Sequence, residues 1–347
     1  MTRIFKGIGG GQVLKTAVSV IIPNYNGKEY LEGCVASLLE QRFKPFEVII
    51  VDDGSDDGAV EALKAGLPKD IEFPTFRFIT HEENLGFATS VNDGIKAAKS
   101  DFVLLLNNDT KADREFVGRM YLAIRKYRDV FSVSAKMLSM ADPSLIDDCG
   151  DSYCALGWAY TRGKDKPARE FRQSGRVFAA CGGAAIYRKQ IFEEIGYFDE
   201  AHFCYLEDID IGYRANLAGY RNIFFPGAKA LHAGSGVSGS RHNKFKVALS
   251  SRNSIYLIYK NMPGWQIALN MPFFIIGFAT KAAFFTVKGL GLTYIKGLFD
   301  GFKMCREQGE ASRVDFSKVK PLTFAKIEGA LLLDMIRRGI CVVSVIP

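Results

Sequence analysis

Apolar runs and stretches of helical periodicity alternate through the first half of the chain. Val18-Ser19-Val20-Ile21-Ile22-Pro23 is apolar except at Ser19 and predicts a buried strand. From Glu29 to Gln41, Leu31, Val35, Leu38 and Leu39 recur at helical spacing and predict a helix. Phe46–Val51 is a second strand, stopped by Asp52-Asp53-Gly54-Ser55, and Phe76–Thr80 is a short third. Phe87–Ala98 reads as a helix, Phe102–Leu106 as a fourth strand and Arg114–Tyr127 as another helix. Strands alternating with helices predict an α/β fold with a parallel sheet and right-handed crossovers. In such sheets ligands bind beyond the carboxyl ends of the strands.

The second half is less regular. Phe178–Tyr187 is an apolar run interrupted by Gly182-Gly183, and Lys189–Ile195 predicts a short helix. Asp208–Ala218 predicts a helix entered through Glu207-Asp208-Ile209-Asp210. Two short strands follow, Arg221–Phe225 and Ala228–Leu231, the second closed by His232. Trp265–Val287 has the length of a membrane span, but Asn270, Pro272 and Lys281 interrupt it. Gly289–Phe302 carries Lys296 and is too short to cross. Together they predict an amphipathic or re-entrant hairpin at a membrane surface, against a rival in which the region packs on the first domain or joins copies in a homo-oligomer. Ala330–Pro347 is apolar again and takes no assigned role.

Charge sharpens this division. The net charge of +7 is uneven: Arg241 onward holds 16 Lys and Arg against 6 Asp and Glu, while the preceding residues hold 29 against 32. A basic tail suits nucleic acid or an anionic membrane, and its apolar, aromatic character selects the membrane. Lys288, Lys296, Lys303 and Arg306 would meet the headgroups, and no nucleic-acid partner is expected. Seven scattered cysteines without a CxxC pair argue against a disulfide scaffold and for a reducing cytoplasm. Met1–Thr16 has no apolar core of signal-peptide length.

The polar motifs fall at the predicted strand ends: Pro23-Asn24-Tyr25-Asn26, Asp52-Asp53 and Asn107-Asn108-Asp109. Asn, Asp and Gly also make ordinary turns, but three such clusters on one sheet edge point to a site. Asp109 can hold a hard divalent ion that also binds phosphate oxygens. Asn84-Leu85-Gly86 and Asn92-Asp93-Gly94 bracket a helix start, where close backbone approach suits an anion. In Glu207-Asp208 one carboxylate can take a proton from a hydroxyl nucleophile, although a helix N-terminus also favours acids. His232 reads as a structural histidine or, given an acidic metal site, as a ligand.

In order and spacing, Val18–Asn26, Val51-Asp52-Asp53-Gly54-Ser55, Asn84-Leu85-Gly86-Phe87, Asn92-Asp93-Gly94, Leu106–Asp109, Gly182-Gly183-Ala184, Glu207–Asp210 and His232 resemble the family 2 glycosyltransferases of the GT-A fold. The similarity spans about residues 15–260 and is nearest the bacterial rhamnosyltransferase-like branch that builds surface polysaccharides. It implies a Rossmann-like, mostly parallel sheet flanked by helices over residues 16–260, after an extension at 1–15 and before a helical, membrane-associating tail at 261–347. It implies a nucleotide-sugar site at Pro23, Tyr25, Asn26, Asp52, Asp53, Asn84, Gly86, Asn92 and Asn108. Gly182, Gly183 and Glu207 would lie on the acceptor side. Asp109 and His232 would hold Mg2+ or Mn2+, and Asp208 would be the catalytic base. The family's acidic triplet here has Asn107 and Asn108 in its first two positions, which lowers the charge at the metal.

The expectation is therefore an inverting glycosyltransferase on the cytoplasmic side of the cell membrane. It would move a sugar from a nucleotide donor, such as dTDP-rhamnose or a UDP-sugar, to a glycan or lipid-linked acceptor. The alternative is an inactive nucleotide-sugar-binding subunit of the same fold. A dehydrogenase is disfavoured, because the first strand runs into Pro23-Asn24-Tyr25-Asn26 without a GxGxxG fingerprint.

Overall fold

In a computed structural model, residues 15–68, 72–234 and 242–343 are described. All but one residue of the 1–15 extension, and the last residues of the apolar C-terminus, lie outside them. The strands are β1 (Val18–Asn24), β2 (Phe46–Asp52), β3 (Thr75–Thr80), β4 (Phe102–Leu106), β5 (Thr110–Ala112), β6 (Val130–Ser139), β7 (Ile146–Asp148), β8 (Asp151–Cys154), β9 (Trp158–Thr161), β10 (Gly175–Val177), β11 (Ala184–Arg188) and β12 (Arg221–His232). The helices are α1 (Leu31–Leu39), α2 (Ala59–Gly66), α3 (Phe87–Ala97), α4 (Phe116–Arg125), α5 (Lys189–Ile195), α6 (Glu207–Leu217), α7 (Lys244–Asn261), α8 (Gly264–Val287), α9 (Gly291–Gln308) and α10 (Pro321–Val343).

The main sheet runs β10-β12-β6-β11-β4-β1-β2-β3, with β5 and β7 attached at its side. The β3-β2-β1-β4 half is parallel, as the alternating pattern predicts. β11 lies antiparallel between β4 and β6, and β12 runs parallel to β6. The two strands expected at 221–231 are one strand, whose register with β6 shifts between Phe224 and Lys229. Pro226, which lacks an amide hydrogen for the ladder, lies within that shift.

Side chains alternate across β1. Val18, Val20 and Ile22 meet α1, α2 and α4 on one face, while Ile21 meets α3, α5 and α6 on the other. Each such side chain contributes roughly 1.5–3 kcal/mol when fully buried. With both faces covered, polar side chains are free only at the strand ends, and there the cleft opens.

The C-terminal helices share a core with the first domain. Tyr153, Phe178, Ile209 and Tyr213 pack with Leu257, Phe274, Phe324, Ile327 and Leu331. α9 lies along α7 through Gly297 and Gly301. A Cβ on Gly297 would stand 1.9 Å from Ser251 Oγ, and one on Gly301 would stand 2.6 Å from Arg252 O. α8 is one continuous 24-residue helix through Pro272, and it turns into α9 at Gly289. It is long and apolar enough to cross a membrane, the one such helix among the described residues.

Candidate active site

The ends of β1, β2 and β4 are cross-tied by amides. Asn24 Nδ2 donates to Asp52 Oδ1 (2.9 Å), and Asn108 Nδ2 donates to Asn24 Oδ1 (2.8 Å). Ser55 Oγ donates to the same Asp52 oxygen at 2.6 Å. The adjacent Asp53 points the other way, into the cleft. Its carboxylate accepts the amides of Leu85 (2.9 Å) and Gly86 (2.8 Å) and sits 2.8 Å from His81 Nδ1. Asp53 thus fixes the turn that starts α3.

A cleft of about 1130 Å³ opens along these ends. Pro23, Tyr25, Asp53, Asn84, Gly86, Asn108, Asp109, Gly182, Gly183, Glu207, Asp208 and His232 all line it. Three other predicted residues have framework contacts instead. Asp52 holds Asn24 and Ser55, as above. The Asn26 side chain accepts the amide of Asp56. Asn92 exchanges hydrogen bonds with the Phe198 backbone (2.8 and 3.0 Å), which fastens α3 to the segment leading to α6.

At the centre, Asp109 and His232 meet across β5 and β12, with Oδ1 and Nε2 3.1 Å apart. The pair is within ion-pair reach, yet that buried oxygen has no directed hydrogen bond. Asp147 Oδ2 lies 2.7 Å from the other ring nitrogen, and Lys164 pairs with Asp147. Burial alone would lower the His232 pKa, but the two flanking carboxylates outweigh it and raise it to about 10. Once its proton is displaced, Nε2 of His232 and Oδ1 of Asp109, 3.1 Å apart, suit a divalent cation as ligands, with Asp147 orienting the ring.

Beyond lies a second acidic group: Asp148, Asp151, Glu207 and Asp208. None of the four forms an ion pair with a basic side chain among the described residues. Burial raises the pKa of each, and mutual repulsion adds to it for Asp148, Asp151 and Glu207. Asp148 is pushed up to about 7. Asp208 stays partly exposed, with Oδ1 accepting the amide of Ile209 at 2.7 Å. Glu207 Oε2 is buried without a partner. A raised pKa makes Asp208 a better proton acceptor once ionised.

Glu207 and Asp208 are presented by a strained turn. Phe203, Tyr205 and Leu206 all adopt left-handed φ, at 63°, 69° and 70°. Such geometry persists when neighbours overdetermine it, and α7 does so. Asn253 Nδ2 donates to the carbonyls of His202, Cys204 and Tyr205, at 3.0, 3.0 and 2.7 Å.

Asp147, Asp148, Asp151, Arg162 and Lys164 join this site from a stretch of chain outside every motif named from the sequence. The acid-dense run Asp147-Asp148-Cys149-Gly150-Asp151 is the signal that could have marked the first three.

The family model for glycosyl transferase family 2 matches residues 19–196. N-acetylglucosaminyl-diphospho-decaprenol L-rhamnosyltransferase of Mycobacterium tuberculosis is 24% identical, over 72% of this chain and 87% of its own length. Poly-beta-1,6-N-acetyl-D-glucosamine synthase of Staphylococcus aureus is 25% identical over 60% of this chain, which spans 48% of that relative. Among solved structures, S. aureus TarS 1-349 with UDP-GlcNAc superposes with a TM-score of 0.56 at 20% identity, covering 93% of this chain and 92% of that one. The Pyrobaculum calidifontis mannosyltransferase PcManGT, in complex with GDP-Man and Mn2+, gives 0.53 at 16% identity, covering 84% and 86%. The shared architecture is the GT-A fold.

Proposed function

Because the chain belongs to glycosyltransferase family 2, we propose that it is an inverting, metal-dependent transferase of cell-surface polysaccharide synthesis. It moves a sugar from dTDP-rhamnose or a UDP-sugar to a hydroxyl of a glycan or lipid-linked acceptor, at the cytoplasmic face of the membrane. The observation that carries this reading is one cleft holding the Asp53 turn, the Asp109–His232 pair and the basic carboxylate Asp208. The name of the mycobacterial relative includes a diphospho-decaprenol acceptor, which favours the lipid-linked form.

Tyr25, Asp53 and Asn84 border the nucleoside end of the cleft. Asp109 and His232 would hold Mg2+ or Mn2+, which neutralises charge on the leaving diphosphate. Asp208 takes the proton of the acceptor hydroxyl as that oxygen attacks the anomeric carbon from the side opposite the diphosphate. A single displacement of this kind inverts the configuration.

Hydrolysis of a panel of UDP-, dTDP- and GDP-sugars, with and without Mn2+, tests the reading. Purified protein should cleave at least one donor faster with Mn2+. Asp208→Asn should lower that rate on the order of 10²–10⁴-fold with donor affinity retained by calorimetry. A wild-type rate in the variant would remove Asp208 from the base role.

A further inference from the structure

Arg162, just past β9, forms no ion pair among the described residues. Its guanidinium lies over the rings of Phe171 and Phe224, 5.6 and 5.5 Å from their centroids. Among the described residues its Nη1 makes no hydrogen bond. Its backbone is fixed by exchange with Gly150 (3.0 Å) and Cys149 (3.2 Å). A guanidinium does not lose its proton, so burial cannot neutralise it, and aromatic faces compensate only part of the lost hydration. What remains is a guanidinium with donors to spare, of the kind that binds phosphate oxygens.

Its surroundings indicate which phosphate. Arg162 lines the same cleft as Asp208, and so do Lys164, Lys166 and, on α10, Arg337. Tyr160 ties this hairpin to α10, its hydroxyl donating to Asp334 O at 3.1 Å. α10 is in turn joined to α8, where Gln266 and Asn270 donate to Glu328 Oε2 at 2.8 and 3.1 Å. The Arg162 wall is therefore continuous with the helix pair that exposes Ile275, Ile276, Leu333 and Ile336. The donor's diphosphate has its own place beside Asp109 and His232. An acceptor with its hydroxyl at Asp208 and a lipid tail along α8 would bring its phosphates past Arg162.

We propose that Arg162, with the hairpin that carries it, forms a phosphate-binding subsite for a prenyl-diphosphate-linked acceptor. The inference rests on the transferase reading above and assigns the acceptor class to that cleft.

Calorimetry on the full chain tests it with farnesyl diphosphate, inorganic pyrophosphate, and UDP plus Mn2+. Arg162→Gln should weaken farnesyl diphosphate and pyrophosphate by roughly tenfold or more, the scale of a lost hydrogen bond to a charged group, and leave UDP unchanged. Arg162→Lys should recover part of the loss, because it keeps the charge without the fork. It also serves as the decisive variant if Arg162→Gln lowers the melting temperature sharply. Unchanged diphosphate binding in both variants would overturn the proposal. So would an equal loss of UDP, which would make Arg162 part of the donor site. Wild-type protein that binds farnesyl diphosphate through Arg162 but ignores UDP and dTDP alike would keep the subsite and refute the transferase reading.

Discussion

Asp148 shows how the site strains its own residues. It is 3% exposed and accepts the amide of Gly150 at 2.6 Å. Burial, aided by the charges of Asp147 and Asp208, raises its pKa from 3.8 to about 7. Between those values the folded chain holds a proton that the unfolded chain has lost. The folded state binds more protons there, so stability falls as pH rises through that window and is fully present only below it. Asp148→Asn keeps an acceptor for Gly150 and cannot ionise. Its melting temperature should match wild type near pH 4 and exceed it at pH 8, as read by scanning fluorimetry across pH. A constant gap between the two proteins would mean that Asp148 ionises freely.

At the scale of elements, α7 belongs to the active site although it follows every predicted catalytic residue in sequence. Asn253 holds the strained turn before Glu207, and the end of the helix holds α6 itself. Lys260 Nζ reaches Asp199 (2.6 Å) and Asp210 (3.1 Å), and Asn261 Nδ2 donates to Asp210 at 2.7 Å. Asp210 also receives Arg214 at 2.7 Å, and these cations hold its carboxyl far below the usual range despite burial. Asn253→Ala takes the amide from the Cys204 and Tyr205 carbonyls, while His202 O keeps Arg252 Nη2 at 2.9 Å. Losing such a buried partner costs roughly 1–3 kcal/mol, so we expect kcat to fall about tenfold as Asp208 loses its aim. Donor affinity should hold, because Asp53 and Asn84 lie on other elements. Single-turnover rates beside calorimetry separate the two, and an unchanged kcat would reduce α7 to a packing role.

On the largest scale, α8 presents apolar side chains both to the protein and away from it. The side of α8 facing the protein carries Gln266, Asn270, Phe274, Gly277 and Phe285, while Trp265, Leu269, Ile275, Ile276, Phe284 and Val287 face outward. At Gly277 a Cβ would stand 2.2 Å from Leu156 O, and Trp158 Nε1 donates to Gly277 O at 3.0 Å. A helix pinned along one side to a polar domain cannot be ringed by lipid. It suits an in-plane helix with its outer face in the bilayer surface. Lys288, Lys296, Lys303 and Arg306 would each add about 1 kcal/mol against an anionic leaflet. Full-length protein should therefore sediment with phosphatidylglycerol vesicles and be partly released by high salt. Serines at Ile275, Ile276 and Phe299 should abolish sedimentation without lowering the melting temperature. These substitutions are a cleaner test than a cut near Lys260, which would strip Phe274, Phe324 and Leu331 from Tyr153 and Tyr213. A protein that ignored vesicles, and whose self-association the serines dispersed, would make this face a contact between copies.

Local pattern was enough to place β1, β2, β3 and β4, the helices α1 and α3, and the polar clusters at the strand ends; α2 was not foreseen. Those signals are local: an apolar run of strand length, a 3.6-residue period, and turn residues that stop each strand. It missed β6, although Phe131, Val133, Ala135 and Met137 alternate with Ser132, Ser134 and Lys136 as in a strand with one polar face. Ser132 is buried only because Asn222 of β12 accepts its hydroxyl at 2.7 Å. Nor could it separate Asp52 from Asp53. Successive side chains leave a strand on opposite sides, and only the packed neighbours say which side is framework and which is cleft. The same holds for α8, whose length is legible in the sequence while its inward face is fixed by Glu328 and Leu156. Asp147 and Arg162 meet a site formed by Asp109, Asp208 and His232 because the sheet folds distant segments together. Such meetings are long-range contacts, and the local pattern that specifies strands and helices does not encode them.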